Sequence, residues 1–305
     1  MVTTSKEHTL FVEKYRSKGL DEYVGNENIK ATIAKYLEQN DIQNLIFYGG
    51  PGTGKTTLAK LIVNNLECDY LYINASDERG IETIRDKVSG FASSASFKPL
   101  KVIILDEADF LTIQAQASLR NVIETFSRTT RFILTCNYVE RIIDPLQSRC
   151  QVLKIVPPSM KDVARHIAGI LDQENITWDK EALGTIVKQY YPDIRKILGT
   201  AQLSTIDNKL TLDKSILVSN SYIELIINEL KTNKNWKAIR QIITDSNIND
   251  YEELYKELYS RVSDYADGRE GMVVIILEEY QYHSNFRIDK EINMIACIAK
   301  IIQVL

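Results

Sequence analysis

At 305 residues, 44% of them hydrophobic and 26% charged, the chain has the composition of an ordinary globular protein with room for two or three domains. Its net charge of −4, from 37 Lys/Arg against 41 Asp/Glu, excludes a broadly basic nucleic-acid binder. No apolar run approaches the roughly 18 residues that a membrane span needs. Residues 1–157 hold nineteen charges of each sign, so the acidic excess falls entirely beyond them. Any contact with DNA therefore has to come from a local basic track, repeated by oligomerisation. The run Met1-Val2-Thr3-Thr4-Ser5-Lys6-Glu7-His8 lacks the apolar core of a signal peptide, and Cys68, Cys136, Cys150 and Cys297 lack paired metal spacing. Reduced thiols in a cytoplasmic setting are the expectation.

Residues 27–38 predict a helix, with Ile29, Ile33 and Leu37 at i, i+4 and i+8. The apolar run Leu45-Ile46-Phe47-Tyr48 then reads as a buried strand. It leads into Gly49-Gly50-Pro51-Gly52-Thr53-Gly54-Lys55-Thr56-Thr57, which fits the phosphate-loop pattern G-x-x-x-x-G-K-[ST] at every fixed position. Glycines at positive φ let successive N–H groups turn toward phosphate oxygens, and the helix that follows presents its positive end to the same charge. Gly52, Thr53, Gly54 and Thr57 would line the phosphates, Lys55 would neutralise the β- and γ-phosphates, and the Thr56 hydroxyl would ligand Mg²⁺. The bland alternative is a glycine-rich turn between strand and helix.

Strand candidates at 44–48, 70–74, 101–105 and 131–136 alternate with helical stretches at 55–66, 80–92 and 113–127. That order predicts an α/β fold with a parallel sheet covered on both faces. Further chemistry is expected at the carboxyl ends of the other strands. The run Val102-Ile103-Ile104-Leu105-Asp106-Glu107 meets this expectation. Asp106 can hold Mg²⁺, and Glu107 can orient and deprotonate an attacking water. An acidic turn after a strand is common; paired with the phosphate loop it points to hydrolysis of a nucleoside triphosphate. The letters Asp106-Glu107-Ala108-Asp109 also raise a DEAD-box RNA helicase, but that family needs a second nucleotide-type domain and a Ser-Ala-Thr motif, and the chain shows neither. The strand 131–136 ends in Asn137, whose amide can hold the water or the γ-phosphate, or simply start a turn. The pair Pro157-Pro158 marks the end of this first domain.

Beyond it, Met160–Gln173, Lys180–Tyr190 and 194–205 read as helices, and 221–305 is helical throughout. Ile288, Ile292, Ile295, Ala299 and Ile302 form one apolar stripe, and Tyr251, Leu254, Tyr255, Leu258 and Val262 another. Core packing is the expectation for both.

Several motifs occur here in the order of a known family. They are Glu13-Lys14-Tyr15-Arg16, the phosphate loop, Asn74-Ala75-Ser76-Asp77-Glu78-Arg79-Gly80-Ile81, the Asp106–Asp109 run and Ser148-Arg149-Cys150. Together they resemble the ATPase subunits of sliding-clamp loaders in the AAA+ superfamily, the replication factor C small subunits. Phe91-Ala92-Ser93-Ser94-Ala95-Ser96-Phe97, Pro145-Leu146-Gln147-Ser148-Arg149-Cys150 and Gln281-Tyr282-His283 look closest to the T-even-type phage branch, which would place the chain in a host cytoplasm.

The resemblance implies three domains: an ATP-binding domain (1–157), a helical lid (158–220) and a helical collar for oligomerisation (221–305). It implies ATP and Mg²⁺, and a site completed by a neighbour through Arg149, an arginine finger acting in trans on the γ-phosphoryl charge. Asn137 matches sensor 1, and Arg195 matches sensor 2. Val12, Glu13, Lys14, Tyr15 and Val24 match positions bordering adenine and ribose. Ser17 stands where the family usually has proline, and Pro192 opens a departure from its Gly-Asp-Met-Arg. Gln116 matches a segment coupling DNA contact to the ATP site; by itself it reads as an exposed helix amide. Arg79, Arg85 and Lys87 match a helix that grips duplex backbone, although Glu78, Glu82 and Asp86 interleave with them and could pair them off on a solvated helix. The implied partners are other loader subunits (four copies plus one different), the sliding clamp and primer–template DNA, with no membrane. Another AAA+ motor, such as a Holliday-junction branch-migration helicase, or a non-catalytic scaffold subunit are the alternatives. The latter would lose Lys55 or Glu107, and both are present.

Overall fold

The computed structural model describes residues 10–211, 214–246, 251–284 and 286–305, so the leader expectation for Met1 to His8 lies outside the described residues. The chain divides into two compact units, residues 1–211 and 212–305. The expected ATP-binding segment and nearly all of the expected lid segment lie together in the first.

In chain order the first unit begins with a single turn, α1 (Phe11–Lys14), and α2 (Glu27–Gln39). Next come β1 (Leu45–Tyr48), α3 (Lys55–Asn64) and β2 (Cys68–Asn74). A π-helical turn (Thr83–Val88) runs directly into α4 (Ser89–Ser93), so the helix expected over 80–92 is wound partly outside the α register. Then follow β3 (Leu100–Asp106), α5 (Ile113–Thr125), β4 (Thr130–Cys136), α6 (Asp144–Gln147) and β5 (Gln151–Lys154). The unit closes with α7 (Met160–Gln173), α8 (Lys180–Tyr190), α9 (Ile194–Leu203) and a short antiparallel pair, β6 (Thr205–Ile206) with β7 (Lys209–Leu210).

The five long strands form one parallel sheet in the order β2-β3-β4-β1-β5. The chain leaves β1, crosses through α3 to the far edge at β2, and fills the gap with β3 and β4. Every residue of β3 is buried, as the uninterrupted apolar run predicts for a strand covered on both faces. One face packs Ile103, Leu105, Phe132 and Leu134 against the π-helical turn through Ile84 and Val88, and against α5 through Leu119 and Ile123. The opposite face packs Leu45, Phe47, Ile104 and Ile133 against α2 and α3 through Ile33, Leu58 and Ile62. Fully burying a leucine or isoleucine of this kind contributes about 1.5–3 kcal/mol, which is what holds α3, and the loop before it, on the sheet.

Register sets the level of the strand ends. Tyr48 pairs with Cys136, and Leu134 with Leu105, so β1, β3 and β4 finish side by side. The loops that follow them, at 49, 107 and 137, share one rim.

The second unit holds α10 (Lys214–Lys231), α11 (Trp236–Asp245), α12 (Tyr251–Ser260), α13 (Val262–Tyr265), α14 (Glu270–Ser284) and α15 (Lys290–Val304). The α12 stripe packs as expected, with Leu254, Tyr255 and Leu258 buried. The α15 stripe does not. Its core face is Met294, Cys297, Ile298 and Ile301, whereas Ile288 precedes the helix and is fully exposed, Ile292 is exposed, and Ile295 and Ile302 are only partly covered. This helix is apolar over most of its circumference, so periodicity could not single out the buried face.

Candidate nucleotide site

The phosphate loop closes only because glycine occupies its two left-handed turns. Gly52 has φ 70° and Gly54 has φ 96°. A Cβ on Gly54 would lie 3.1 Å from the Tyr23 ring, and one on Gly52 would collide with Asp193. The loop thus threads between the N-terminal segment and the start of α9.

Lys55 opens α3 and is buried. Its Nζ donates to Gly49 O (2.9 Å), Gly50 O (2.7 Å) and Asn137 Oδ1 (2.8 Å). Burial lowers its pKa, opposed by Cys136, Asp106 and Asp109, with Arg195 adding to the lowering. An anion arriving at the loop would meet a cation short of hydration, the condition in which charge–charge attraction is strongest. The Thr53 hydroxyl braces the turn by donating to Gly50 O (2.9 Å).

The second strand end supplies the acids. Thr56 Oγ1 donates to Asp106 Oδ1 (2.8 Å) and lies 3.1 Å from Oδ2. Thr135 of β4 also donates to Asp106 Oδ1, and the Tyr72 hydroxyl of β2 donates to Oδ2 at 2.7 Å. Glu107 follows with φ 56°, a conformation that costs a non-glycine residue about 1–3 kcal/mol, and its N–H is tied to Thr135 Oγ1 at 3.1 Å. Asn137 stands between the two strand ends. Its carbonyl accepts from Lys55, while its N–H and that of Tyr138 reach Oδ2 of buried Asp109, each at 3.3 Å.

These groups line one cleft, and its residues fall into two ends. The phosphate end is Pro51 to Thr57 with Asp106, Glu107, Thr135, Cys136 and Asn137. The other end has Val12, Tyr15, Tyr23, Val24, His166, Ile194, Arg195 and Leu198. Arg195 sits in the first turn of α9, whose N-cap is Asp193 (Oδ1 to Lys196 N, 3.0 Å). Burial pushes the Tyr23 hydroxyl up and the His166 imidazole down.

Not every expected residue joins this cleft. Glu13 and Lys14 do not line it: Glu13 pairs with Arg16 (2.6 Å) and Lys14 with Glu174 at the end of α7 (2.6 Å), where Tyr15 also donates at 2.6 Å. Gln116 is buried, not exposed. Its amide donates to Leu111 O (3.1 Å) and Arg141 O (3.0 Å) and accepts from Ile143 N (2.9 Å), pinning the loop that leads to Arg149. Arg79, Arg85 and Lys87 are exposed away from the cleft, and Lys87 pairs with Glu78 at 2.6 Å.

Arg149 is the most displaced. It precedes β5, whose first residue Gln151 pairs with Leu45, the amino-terminal end of β1. The phosphate loop leaves the other end of that strand. Arg149 therefore sits at the opposite end of the sheet from its own loop, in a groove with Tyr36, Asp41, Arg131 and Gln151. There its Nε donates to Glu124 (2.6 Å) and its Nη1 to Pro145 O (2.6 Å).

Sequence reasoning did not single out Tyr72, Thr135, Tyr23, Asp109 or His166. Each is a residue type common in any strand or helix, and only the packing of neighbouring strands and helices brings them into or beside the cleft.

The residues fit ATP and Mg²⁺. The hydroxyl of Thr56 and the carboxylate of Asp106 form a hard oxygen pair, and a glycine-walled cradle with a buried lysine faces it. Among the described residues no cluster of three His, Cys, Asp or Glu could cage a metal alone, so water and phosphate oxygens would complete the shell.

Residues 45–158 match the model of the ATPase family associated with various cellular activities (AAA). A replication factor C small subunit of Sulfurisphaera tokodaii is 34% identical over 314 residues, spanning 97% of this chain and 96% of its own length. The chain belongs to the replication factor C small-subunit family. A probable replication factor C subunit 5 of Dictyostelium discoideum is 39% identical over 252 residues, covering 77% of this chain and 72% of that one. Among solved structures, the RuvB Holliday junction branch migration motor of Thermotoga maritima superposes with a TM-score of 0.56 at 17% identity, over 77% of this chain and 86% of that chain. At that identity the likeness speaks for the fold alone. The phosphate end of the cleft thus lies within an AAA ATPase module. No helix of the described residues is long and apolar enough to cross a membrane.

Proposed function

We propose that the chain is the ATPase subunit of a sliding-clamp loader, opening a clamp in the ATP state and releasing it on primer–template DNA once hydrolysis is triggered. The observation that carries this reading is the position of Arg149. A family-type arginine at the far end of the sheet from its own phosphate loop cannot serve that loop, which supports a role at a neighbour's. Each subunit then offers an acidic site on one side and an arginine on the other, and the assembly reads nucleotide state through its own geometry.

In this scheme Lys55 and the loop N–H groups hold the β- and γ-phosphates, and Glu107 takes a proton from the attacking water. Asn137, released from Lys55 by the γ-phosphate, orients that water, and Arg195 clamps the nucleotide from the lid. Thr56 and Asp106 would hold Mg²⁺, which would supply neutralisation of the phosphate charge. Val12, Tyr15 and Val24 border the base and ribose; Glu13 and Lys14 contribute backbone and a tie to the lid. Arg79, Arg85 and Lys87 lie exposed for duplex phosphate, with Gln116 linking that surface to the loop before Arg149. Retention of Lys55, Asp106 and Glu107 argues against a silent scaffold subunit.

Residues 1–157, 158–220 and 221–305 serve as ATP-binding, lid and collar segments, and exposed Ile292 with half-covered Ile295 suits a collar neighbour. Four copies with one different subunit is the stoichiometry proposed. The runs at 91–97, 145–150 and 281–283 support a place near the T-even-type phage branch, and hence a host cytoplasm. The test is steady-state ATP hydrolysis by the reconstituted complex alone, with cognate clamp, and with clamp plus primer–template DNA. Stepwise stimulation is expected; a rate indifferent to both additions overturns the loader reading.

A further inference from the structure

We infer that Tyr72 is a positioning residue for the metal-binding carboxylate of Asp106, and that its hydroxyl sets how tightly the site takes Mg²⁺ with nucleotide.

Tyr72 lies on β2, the edge strand, and its register partner on β3 is Ile104, two residues before Asp106 on the same face. With strands about 4.8 Å apart and about 3.3 Å of rise per residue, this diagonal spans roughly 8 Å, within reach of an aromatic side chain but not of a short one. The ring spans that gap and delivers its hydroxyl to Asp106 Oδ2 at 2.7 Å. From the other flank, β4 sends Thr135 to Oδ1. A carboxylate has two oxygens and about four lone-pair sites. One site on each oxygen is taken by a neighbouring strand, which fixes the plane of the group and leaves its remaining lone pairs toward Thr56, the partner ligand.

The ring is itself held. Lys60 Nζ lies 4.5 Å from its centroid. Lys60 is four residues after Thr56 on α3, so the metal-ligand hydroxyl and the ammonium over the ring share one face of that helix. Thr56, Asp106, Tyr72 and Lys60 close a loop of contacts in which moving the tyrosine moves the carboxylate. The hydroxyl stays a donor: burial and then the bond to Asp106 push its pKa up. Tyr72 is not among the residues lining the cleft, so it acts through Asp106 and not on the nucleotide. Phenylalanine would keep the ring under Lys60 and lose only the donor.

This inference rests on the Mg²⁺–nucleotide reading of the site, and the experiment separates the two. A fluorescent ADP analogue is bound to the full chain, without turnover, first in EDTA and then with increasing Mg²⁺, for wild type and Tyr72→Phe. The expected result is unchanged metal-free affinity and a Mg²⁺ half-saturation raised roughly tenfold, the scale of losing an outer partner of a metal ligand. A donor of shorter reach, Tyr72→His, is expected to recover part of the shift. Wild-type Mg²⁺ dependence in Tyr72→Phe overturns the inference. So does an equal loss of affinity with and without metal at an unchanged thermal transition, because that marks a role in shaping the loop. A wild-type chain whose nucleotide binding ignores Mg²⁺ overturns the underlying site reading instead.

Discussion

Asp193 stands directly against Gly52: a Cβ built on the glycine would lie 2.0 Å from the Asp193 Oδ1 and 3.0 Å from its Cα. The residue that caps α9, the helix carrying Arg195, therefore touches the turn of the phosphate loop itself. The start of α9 and the loop meet where there is room for a hydrogen and nothing larger, so a displacement of α9 is felt at the loop without an intermediary.

Gly52→Ala is expected to abolish this seating. The left-handed turn alone costs an L-residue about 1–2 kcal/mol, and the methyl group meets Asp193 as well. Nucleotide affinity should fall by at least roughly tenfold, since 1.4 kcal/mol is a factor of ten. Adding Asp193→Ala removes the nearest atoms but leaves the positive φ and the crowding by the backbone of residue 193, so recovery in the double variant should be partial. Calorimetric binding of ADP to wild type, Gly52→Ala, Asp193→Ala and the double variant measures it; full recovery would place the whole effect in the side-chain collision.

The separation of Arg149 from its own loop predicts complementation. Subunits with Arg149→Ala and subunits with Glu107→Gln are each expected to form rings of low activity. Mixed rings should regain hydrolysis where an intact acid faces an intact arginine. Arg149 pairs with Glu124 on the surface, and exposed pairs contribute about 0–1 kcal/mol, so Arg149→Ala should leave the thermal transition nearly unchanged. Mixed rings with no more activity than the average of the two parents would show that the arginine does not act across an interface.

His166 gives a pH signature. Burial in the cleft wall lowers its pKa from the ordinary 6.5, with Glu22 partly opposing. Below 6.5 the unfolded chain accepts a proton that the folded protein resists, so the unfolded state binds more protons and stability falls as pH drops toward the lowered folded value. Above 6.5 this loss is absent. His166→Gln removes the titration, and the gap between wild-type and variant melting temperatures should shift in the variant's favour on going from about pH 7.5 to about pH 5.5. A gap independent of pH would mean that the imidazole is no harder to protonate in the fold than in water.

The residues from Gly49 to Thr57, the buried run of β3 and the acids after it were legible because each is local. A loop pattern dictates its own turns, and an uninterrupted apolar run of this length suits only a covered strand. The fifth strand was not counted beforehand, and its pattern shows why: Gln151 to Lys154 alternates half-buried and exposed residues and so carries no apolar run. The α15 helix, apolar on most sides, concealed which face meets the core.

The chain's sequence alone thus determined a phosphate-loop pattern and acids following a buried strand, since short-range backbone geometry and residue chemistry fix both. Only the tertiary structure decided what those acids lean on. Strand order and register bring Tyr72 and Thr135 to Asp106 from either flank, set Asn137 on Lys55, press Asp193 against Gly52, and carry Arg149 to the far end of the sheet. Each of these depends on which strands lie side by side and at what level. That is fixed by packing between segments distant in the chain, a quantity no local pattern of residues contains.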